Sequence, residues 1–277
     1  MLPQASIISE QVRLALAEDV GSGDLTASLL PESKTLSATV VGREQAVMAG
    51  SAWFDETFRQ LSPDIQVDWC FSDGDRFDSG QTLCRLQGNA RALLTGERTA
   101  LNFLQTLSAV ATRTRSFVDA VEGIDVNILD TRKTIPGLRF AEKYAVTCGG
   151  GVNHRVGLFD AVLIKENHIA AAGSIANAVK QALASVEENI KIEVEVESLE
   201  EMQQALDAGA RYLLLDNFSN DLLREAVTIN RGRARLEASG NVSLQTVKSI
   251  AQTGVDDISI GELTKNIQAV DLSMRFE

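Results

Sequence analysis

Histidine and cysteine are scarce in this sequence of 277 residues, and their scarcity excludes several kinds of site. The two histidines, His154 and His168, are too few for a metal centre built on several imidazoles. The three cysteines form no CxxC pair, and an odd number cannot close a complete set of disulfides. We therefore expect a protein of the reducing cytoplasm.

Long apolar runs and a secretion signal are also missing. No stretch of 18 apolar residues is free of charges, and the first 20 residues lack the basic start and apolar core of a signal peptide. The hydrophobic content of 44% is enough for a full core in one large domain or two smaller ones. We therefore expect a soluble globular protein with no membrane partner.

Acidic side chains are in excess, and the formal net charge is −12. Nucleic acids are bound by clustered basic side chains, so this composition argues against a nucleic-acid partner. Residues 131–165 depart from the overall balance, because they contain six basic residues and only two acidic ones. A local basic excess in an acidic chain indicates a pocket for a small, strongly anionic ligand.

The pattern of the chain changes near residue 125. The first hundred residues mix short alternating strands with amphipathic helices, and a long helical pattern then runs from about residue 90 to residue 120. Short apolar runs and amphipathic helices alternate after it, which predicts parallel strands with crossover helices in a barrel or an open doubly wound sheet. The predicted strands are VNILD, AVLIK, KIEVEV, RYLLLD, ARLEAS and DISIG, and the predicted helices include SIANAVKQALASV, SLEEMQQALDAG, DLLREAVTIN and SLQTVKSIAQTG.

Polar or small residues at the ends of these strands favour the barrel. Barrel enzymes collect functional groups from the carboxyl ends of many strands, whereas an open sheet concentrates them near one crevice. Asp130 and Asp216 could simply mark where loops begin. Lys165 and Glu195, in contrast, lie in apolar, strand-like segments where an unpaired charge is costly. The strand-end residues are Asp130, Lys165, Glu195, Asp216, Ser239 and Gly261.

Two basic motifs predict the anion site. The motif DTRKT supplies Arg132, whose planar fork suits a carboxylate, and Lys133, which supplies a point charge. The motif GGGVNHRVG supplies His154 and Arg155 after three glycines, which suit a loop whose backbone approaches a ligand closely. Its spacing fits neither GxGxxG nor the Walker pattern. The other histidine, His168, is expected to be structural.

Carboxylates and small residues predict the remaining parts of the site. Glu195 and Asp216 follow neighbouring predicted strands and could hold Mg²⁺ through oxygen ligands. Strand alternation places Glu193, Glu195 and Glu197 on one face, so the sequence leaves open which of them points into the site. The loops ASGN at 238–241 and IGEL at 260–263 lie between a strand and a helix, where free backbone N–H groups can bind phosphate.

Seven segments together resemble the quinolinate phosphoribosyltransferase family. The resemblance extends in register over nearly the whole chain, and its most specific part is DTRKTIPGLRFAEKYAVTCGGGVNHRVGLFDAVLIKENH at 130–168. The other segments are LAEDVGSGDLT, GERTALNFLQTLSAVAT, IEVEVESLEE, LLLDNF, EASGNV and ISIGELT.

The resemblance implies an α/β fold, with an incomplete α/β barrel and an N-terminal α+β sandwich domain. It also implies a homodimer with shared active sites, in which residues 1–107 close over the partner's barrel and supply Arg98 to it. Residues 108–266 would form the catalytic barrel, and residues 267–277 a strand that returns to the N-terminal domain.

The family reaction converts quinolinate and phosphoribosyl pyrophosphate to nicotinate mononucleotide, CO₂ and pyrophosphate, with Mg²⁺. The resemblance implies that Arg132, His154, Arg155 and Lys165, with the partner's Arg98, bind the quinolinate carboxylates. Lys133 would bind the sugar pyrophosphate, and Glu195 and Asp216 the ribose hydroxyls and Mg²⁺. The four residues implied as catalytic are Lys133, Lys165, Glu195 and Asp216. Phosphate would be bound by Ser239, Gly240, Asn241, Gly261, Glu262 and Leu263.

One departure from the family pattern and three alternatives remain open. Lys265 and Asn266 stand after GELT, where the family pattern has a histidine-serine pair. A molybdenum-associated relative of the same fold could share these motifs. Lys165 could also be the Schiff-base lysine of a barrel aldolase, or the chain could be a binding module that senses an anionic metabolite.

Overall fold

The computed structural model describes residues 2–277. The described residues divide into two compact units, of which the first comprises residues 2–115, 134–150 and 263–277, and the second residues 116–133 and 151–262. Segment 134–150, which lies within the predicted barrel domain, thus belongs to the first unit. Among the described residues, no helix has the length and apolar character that a membrane crossing requires.

The order of the elements follows the sequence pattern in most places. The helices are α1 (Ala5–Val20), α2 (Ser51–Leu61), α3 (Ala90–Ala120), α4 (Arg139–Cys148), α5 (Glu166–Ala172), α6 (Ile175–Ser185), α7 (Leu199–Asp207), α8 (Asn220–Asn230), α9 (Val247–Ala251) and α10 (Glu262–Lys265). The strands are β1 (Thr35–Gly42), β2 (Ala46–Val47), β3 (Gln66–Trp69), β4 (Arg76–Phe77), β5 (Thr82–Asn89), β6 (Asn127–Leu129), β7 (Ala161–Ile164), β8 (Lys191–Val196), β9 (Tyr212–Asp216), β10 (Arg235–Ser239), β11 (Asp257–Ser259) and β12 (Leu272–Phe276).

The first unit is built on an antiparallel sheet in the order β12-β1-β5-β3. The last strand therefore pairs with the first, and its register places Val40 opposite Met274. Alternation along β1 buries Ala38 and Val40, which join Phe54 and Phe58 of α2 in one hydrophobic core. This unit is the α+β part that the sequence predicts.

The second unit contains six parallel strands in the order β6-β11-β10-β9-β8-β7. From β7 to β11 successive strands are neighbours, and the first strand β6 pairs with the last strand β11. A doubly wound sheet would instead reverse its strand order part-way. Strands β6 and β7 are the two ends of this sheet, and a single parallel bridge from Leu129 to Val152 lies beside β6. The predicted incomplete α/β barrel is confirmed.

Serine caps position three of the barrel helices. The side chains of Ser174, Ser198 and Ser219 accept hydrogen bonds from backbone N–H groups at the starts of α6, α7 and α8, respectively. Such a cap satisfies a donor that has no partner within the helix. The predicted helix at 243–254 is shorter, because only Val247–Ala251 is helical.

A paired substitution tests the core of the first unit. Leu83 of β5 is fully buried, and Leu14 of α1 is 55% exposed. We expect Leu83→Ala to lower the free energy of unfolding by about 2–5 kcal/mol, because it leaves a cavity. Leu14→Ala should change it by less than about 0.5 kcal/mol. Urea denaturation followed by circular dichroism measures both, and equal effects would contradict the assigned core.

Candidate active site

The carboxyl ends of the six parallel strands gather the predicted site residues at one rim of the second unit. Asp216 and Ser239 are the last residues of β9 and β10 and lie opposite each other in register. Lys165 directly follows β7, and Glu195 lies near the end of β8. Parallel strands carry their carboxyl ends to the same edge, so the barrel brings together residues far apart in sequence.

Asp130, at the end of β6, fixes the loop that carries His154 and Arg155. Its Oδ1 accepts a hydrogen bond from the backbone N–H of His154 at 2.8 Å, and its Oδ2 accepts one from Asn153 Nδ2 at 2.6 Å. The carboxylate is fully buried. Asp130 therefore has a structural function at this rim.

The imidazole of His154 lies between two buried glutamates. Its Nε2 is 2.7 Å from Glu193 Oε2 and 3.3 Å from Glu237 Oε2, and its Nδ1 accepts a hydrogen bond from the backbone N–H of Arg155 at 2.8 Å. The ligand atoms of these three side chains lie within 4.8 Å of one another, a spacing that could also hold a metal ion. Sequence reasoning missed Glu237, although a charged residue inside the apolar strand ARLEAS was a signal.

Opposing effects act on the protons of this cluster. Burial opposes a charge on His154, but hydrogen bonds to the two glutamates and their negative charges raise its pKa. Burial raises the pKa of Glu237. Burial also opposes the charge of Glu193, but the hydrogen bond from His154 and the charge of Lys191 lower its pKa overall. Glu193 also lies 2.9 Å from Lys191 Nζ, a contact that favours its negative charge.

Arg155 and Arg132 bring two positive charges close to each other. Burial lowers the pKa of Arg155, and the charge of Arg132 lowers it further, whereas nearby carboxylates act in the opposite direction. A guanidinium stays protonated in spite of such shifts. Arg132 and Arg155 are partly buried and repel each other. A bound anion would offset this repulsion, so the pair is suited to bind one.

Lys165 and Glu195 form an ion pair across β7 and β8, with 2.5 Å between Nζ and Oε2. Glu193 is buried, Glu195 is largely covered, and Glu197 is exposed. The three glutamates therefore differ in depth, which alternation alone could not show. His168 Nδ1 accepts from the backbone N–H of Lys165 at 3.0 Å and so caps α5. That contact agrees with the structural function expected of His168.

Asn217 connects Asp216 to the loop after β10. Its Nδ2 donates to Asp216 Oδ2 at 2.8 Å, and its backbone N–H donates to Ser239 O at 2.9 Å. A Cβ on Gly240 would lie 2.1 Å from Asn217 Oδ1, so only glycine fits there, and its φ is +98°. Asn217 and Asn241 also have positive φ angles. Sequence reasoning did not single out Asn217.

Lys133 lies against Gly261 at the start of the last strand-to-helix loop. A Cβ on Gly261 would come within 2.9 Å of Lys133 Cδ and 3.8 Å of Nζ. The structure thus brings the DTRKT motif to one of the two predicted phosphate loops. The helix after this loop has only four residues, and the Leu263 side chain is buried. Glu262 is partly exposed, whereas Lys265 and Asn266 are exposed.

Arg98 lies on α3 in the first unit, where it is exposed. Its predicted contribution to the site of another subunit stays a prediction.

Comparison with known sequences places both parts of the chain in one family. The family model described as the N-terminal domain of quinolinate phosphoribosyl transferase matches residues 24–108, and that of its C-terminal domain matches residues 110–275. A probable nicotinate-nucleotide pyrophosphorylase (carboxylating) of Bacillus subtilis is 41% identical over 93% of this chain and 89% of its own. A mitochondrial quinolinate phosphoribosyltransferase (decarboxylating) of Nicotiana tabacum is 40% identical over 98% of this chain and 82% of its own.

A solved structure agrees with the sequence comparison. The nicotinate-nucleotide pyrophosphorylase of Francisella tularensis superposes with a TM-score of 0.96 and 46% identity, over 99% of this chain and 98% of the other. Family matches to both halves and a likeness over the full fold lead to the same conclusion. The chain belongs to the quinolinate phosphoribosyltransferase family.

Proposed function

We propose that this enzyme transfers the phosphoribosyl group of phosphoribosyl pyrophosphate to quinolinate and releases pyrophosphate and CO₂, giving nicotinate mononucleotide for NAD biosynthesis. The observation that carries the proposal is the proximity of Arg132 and Arg155 at a barrel rim that also holds the carboxylates Glu195 and Asp216. We also propose a cytoplasmic location, which the three free cysteines support.

Quinolinate is a dianion with two adjacent carboxylates on a pyridine ring. Arg132 and Arg155 provide two planar forks for these groups, and Lys165 provides a third cation from the neighbouring β7. Binding a dianion relieves the repulsion between the two guanidinium groups. The site therefore has a physical preference for two carboxylates over one.

Phosphoribosyl pyrophosphate would lie over the ends of β8 to β11. Lys133 beside Gly261 would bind the pyrophosphate, while Glu195 and Asp216 would receive the ribose hydroxyls. The loops at 239–241 and 261–263 would contribute backbone N–H groups to phosphate. Negative charge grows on the pyrophosphate as it leaves and positive charge on the sugar, so cations and carboxylates on opposite sides stabilise both.

The donor set of Glu195 and Asp216 fits Mg²⁺. Two carboxylates on adjacent parallel strands offer hard oxygen ligands at the same rim, and Mg²⁺ commonly combines one or two carboxylates with substrate phosphates and waters. When bound, Mg²⁺ would neutralise part of the pyrophosphate charge. Asn217 holds the Asp216 carboxylate in place through its 2.8 Å hydrogen bond.

The chemistry needs no covalent enzyme intermediate. The pyridine nitrogen attacks C1 of ribose as the bond from C1 to pyrophosphate oxygen breaks, and the ring becomes cationic. The bond from the ring to the adjacent carboxylate then breaks and CO₂ leaves. Its electron pair stays on the ring carbon, where the cationic nitrogen stabilises it until a proton is added. Residues at the rim contribute mainly by holding the reactants in place.

Lys165 does not have the surroundings of a Schiff-base lysine. Its ammonium group is paired with Glu195 at 2.5 Å, whereas a lysine that attacks a carbonyl does so as a neutral amine. The ion pair favours phosphoribosyl transfer over the aldolase alternative.

We further propose a homodimer in which Arg98 enters the partner's site. Arg98 is exposed, and large apolar side chains are exposed in both units, including Leu25 and Leu29 in the first and Leu158 and Phe159 in the second. Burial of such side chains against a second chain would stabilise a dimer.

Arg155→Ala tests the carboxylate site. We expect it to weaken quinolinate binding about 30-fold or more, because it leaves buried charge unpaired. Arg224→Ala, at an exposed pair on α8, should leave binding unchanged within about twofold. Calorimetry with quinolinate gives the affinity, and absorbance of nicotinate mononucleotide gives turnover with phosphoribosyl pyrophosphate and Mg²⁺. Near-normal affinity in Arg155→Ala would refute its assigned function.

Glu195→Gln tests the carboxylates. It removes a charge while keeping the shape, and we expect kcat/KM for phosphoribosyl pyrophosphate to fall by roughly 10²-fold, with a higher Mg²⁺ requirement. Glu197→Gln, two residues further along the chain and exposed, is the matched control and should change kcat/KM by less than about twofold. Equal effects in the two variants would contradict the assignment of Glu195.

Mixing two inactive variants tests the shared site. If Arg98 serves the partner, a heterodimer of Arg98→Ala and Arg155→Ala contains one intact site. Co-refolding equal amounts should then restore about a quarter of the native activity, since half of the dimers are mixed. Activity that stays at the level of the separate variants would show that both residues serve the same subunit's site.

A further inference from the structure

Both ring nitrogens of His154 are already occupied by groups of the protein. The backbone N–H of Arg155 can only donate, so Nδ1, 2.8 Å away, must accept and carries no proton. The remaining nitrogen, Nε2, then carries the single proton and donates it to Glu193 Oε2 at 2.7 Å. The contacts therefore describe a neutral imidazole with its proton on Nε2.

The surroundings of the ring leave little access for a substrate. The side chains of His154, Glu193 and Glu237 are only 8%, 2% and 2% exposed. The predicted function of His154, to bind a carboxylate of quinolinate, requires a donor directed at the ligand. The proton on Nε2 is instead directed at a glutamate inside the barrel.

Lys191 and the burial of Glu237 also affect the charge balance of the cluster. Lys191 Nζ lies 2.9 Å from Glu193 Oε1 and supplies the positive charge for that carboxylate. Burial raises the pKa of Glu237, and neither of its oxygens makes a hydrogen bond of good geometry within residues 2–277. The two glutamates raise the pKa of His154 and so favour a second proton on the ring. That proton would lie on Nδ1 and point at the backbone N–H of Arg155, whose nitrogen is 2.8 Å away.

The loop around Arg155 is held by side chains on both sides. On its N-terminal side, Asp130 accepts from the backbone of His154. On its C-terminal side, Asp160 accepts from Val156 N at 2.7 Å and Gly157 N at 2.9 Å. His154 Nδ1 provides the acceptor for the N–H of Arg155 between them. Three side chains, Asp130, His154 and Asp160, thus fix the backbone at Arg155.

We propose that His154 is a positioning residue, which as a neutral imidazole anchored by Glu193 holds the backbone of Arg155, and that it does not itself bind the substrate. This inference rests on the proposed function in so far as Arg155 binds quinolinate. The tautomer of the ring is independent of any substrate. The two parts can therefore be tested separately.

Nitrogen NMR of the histidines tests the tautomer. Only two histidines are present, so protein labelled with ¹⁵N in histidine gives two rings, and His168→Asn assigns them. At neutral pH we expect His154 to show a bare Nδ1 and a protonated Nε2, unchanged when quinolinate is added. Two protonated nitrogens, or a bare Nε2, would overturn the proposal. Loss of the Nε2 proton on addition of Zn²⁺ alone would also overturn it, in favour of a metal site.

Two isosteric substitutions test the positioning. Asparagine places its amide near the position of Nδ1, and glutamine places its amide near that of Nε2. If His154 acts through Nδ1, His154→Asn should bind quinolinate about tenfold more tightly than His154→Gln, the difference expected for one hydrogen bond. The KM for phosphoribosyl pyrophosphate should differ much less between the two. A higher quinolinate affinity of His154→Gln would indicate direct binding through Nε2 and refute the proposal.

The outcomes distinguish this inference from the proposed function. Failure of the unsubstituted protein to bind quinolinate in calorimetry would refute the proposed function, while the NMR spectrum would still decide the state of His154. Thermal unfolding of both variants shows whether they fold. If both fail to fold, the tautomer and its response to quinolinate in the unsubstituted protein decide the proposal.

Discussion

The site depends on holding two like charges, Arg132 and Arg155, close together at the barrel rim. Their repulsion opposes folding, so the surrounding structure has to fix them more strongly than they repel. Asp130, His154 and Asp160 do this for Arg155 through its neighbouring backbone. In the proposed function, the dianion quinolinate offsets this repulsion when it binds.

The buried acid cluster inside the barrel has a consequence for specificity. Glu193 and Glu237 lie beneath the rim, and Glu195 lies above them on the same face of β8. The upper carboxylate is paired with Lys165, and the lower ones surround His154. Glu195 and Glu193 each have a lysine partner, Lys165 and Lys191, which reduces their repulsion of an anionic substrate at the rim.

Barrel topology explains why the site is assembled from six segments. Pairing of β6 with β11 brings the first strand to the last, so Lys133 reaches Gly261 across more than a hundred residues of sequence. Glycine at 261 leaves space for the lysine stem, and glycine at 240 leaves space for Asn217. The close approach of these two side chains requires glycine at both positions even before a ligand binds.

The sequence by itself determined the strand positions, the fold class and the basic motifs, because these follow from local periodicity and residue chemistry. It missed α4 and could not choose among Glu193, Glu195 and Glu197, since alternation gives a face but no depth along the barrel axis. Tertiary structure alone decided that His154 turns toward Glu193 and Glu237, and that Lys165 pairs with Glu195. Such contacts depend on strand register and on how the loop at 151–157 packs, and both are set by interactions distant in sequence.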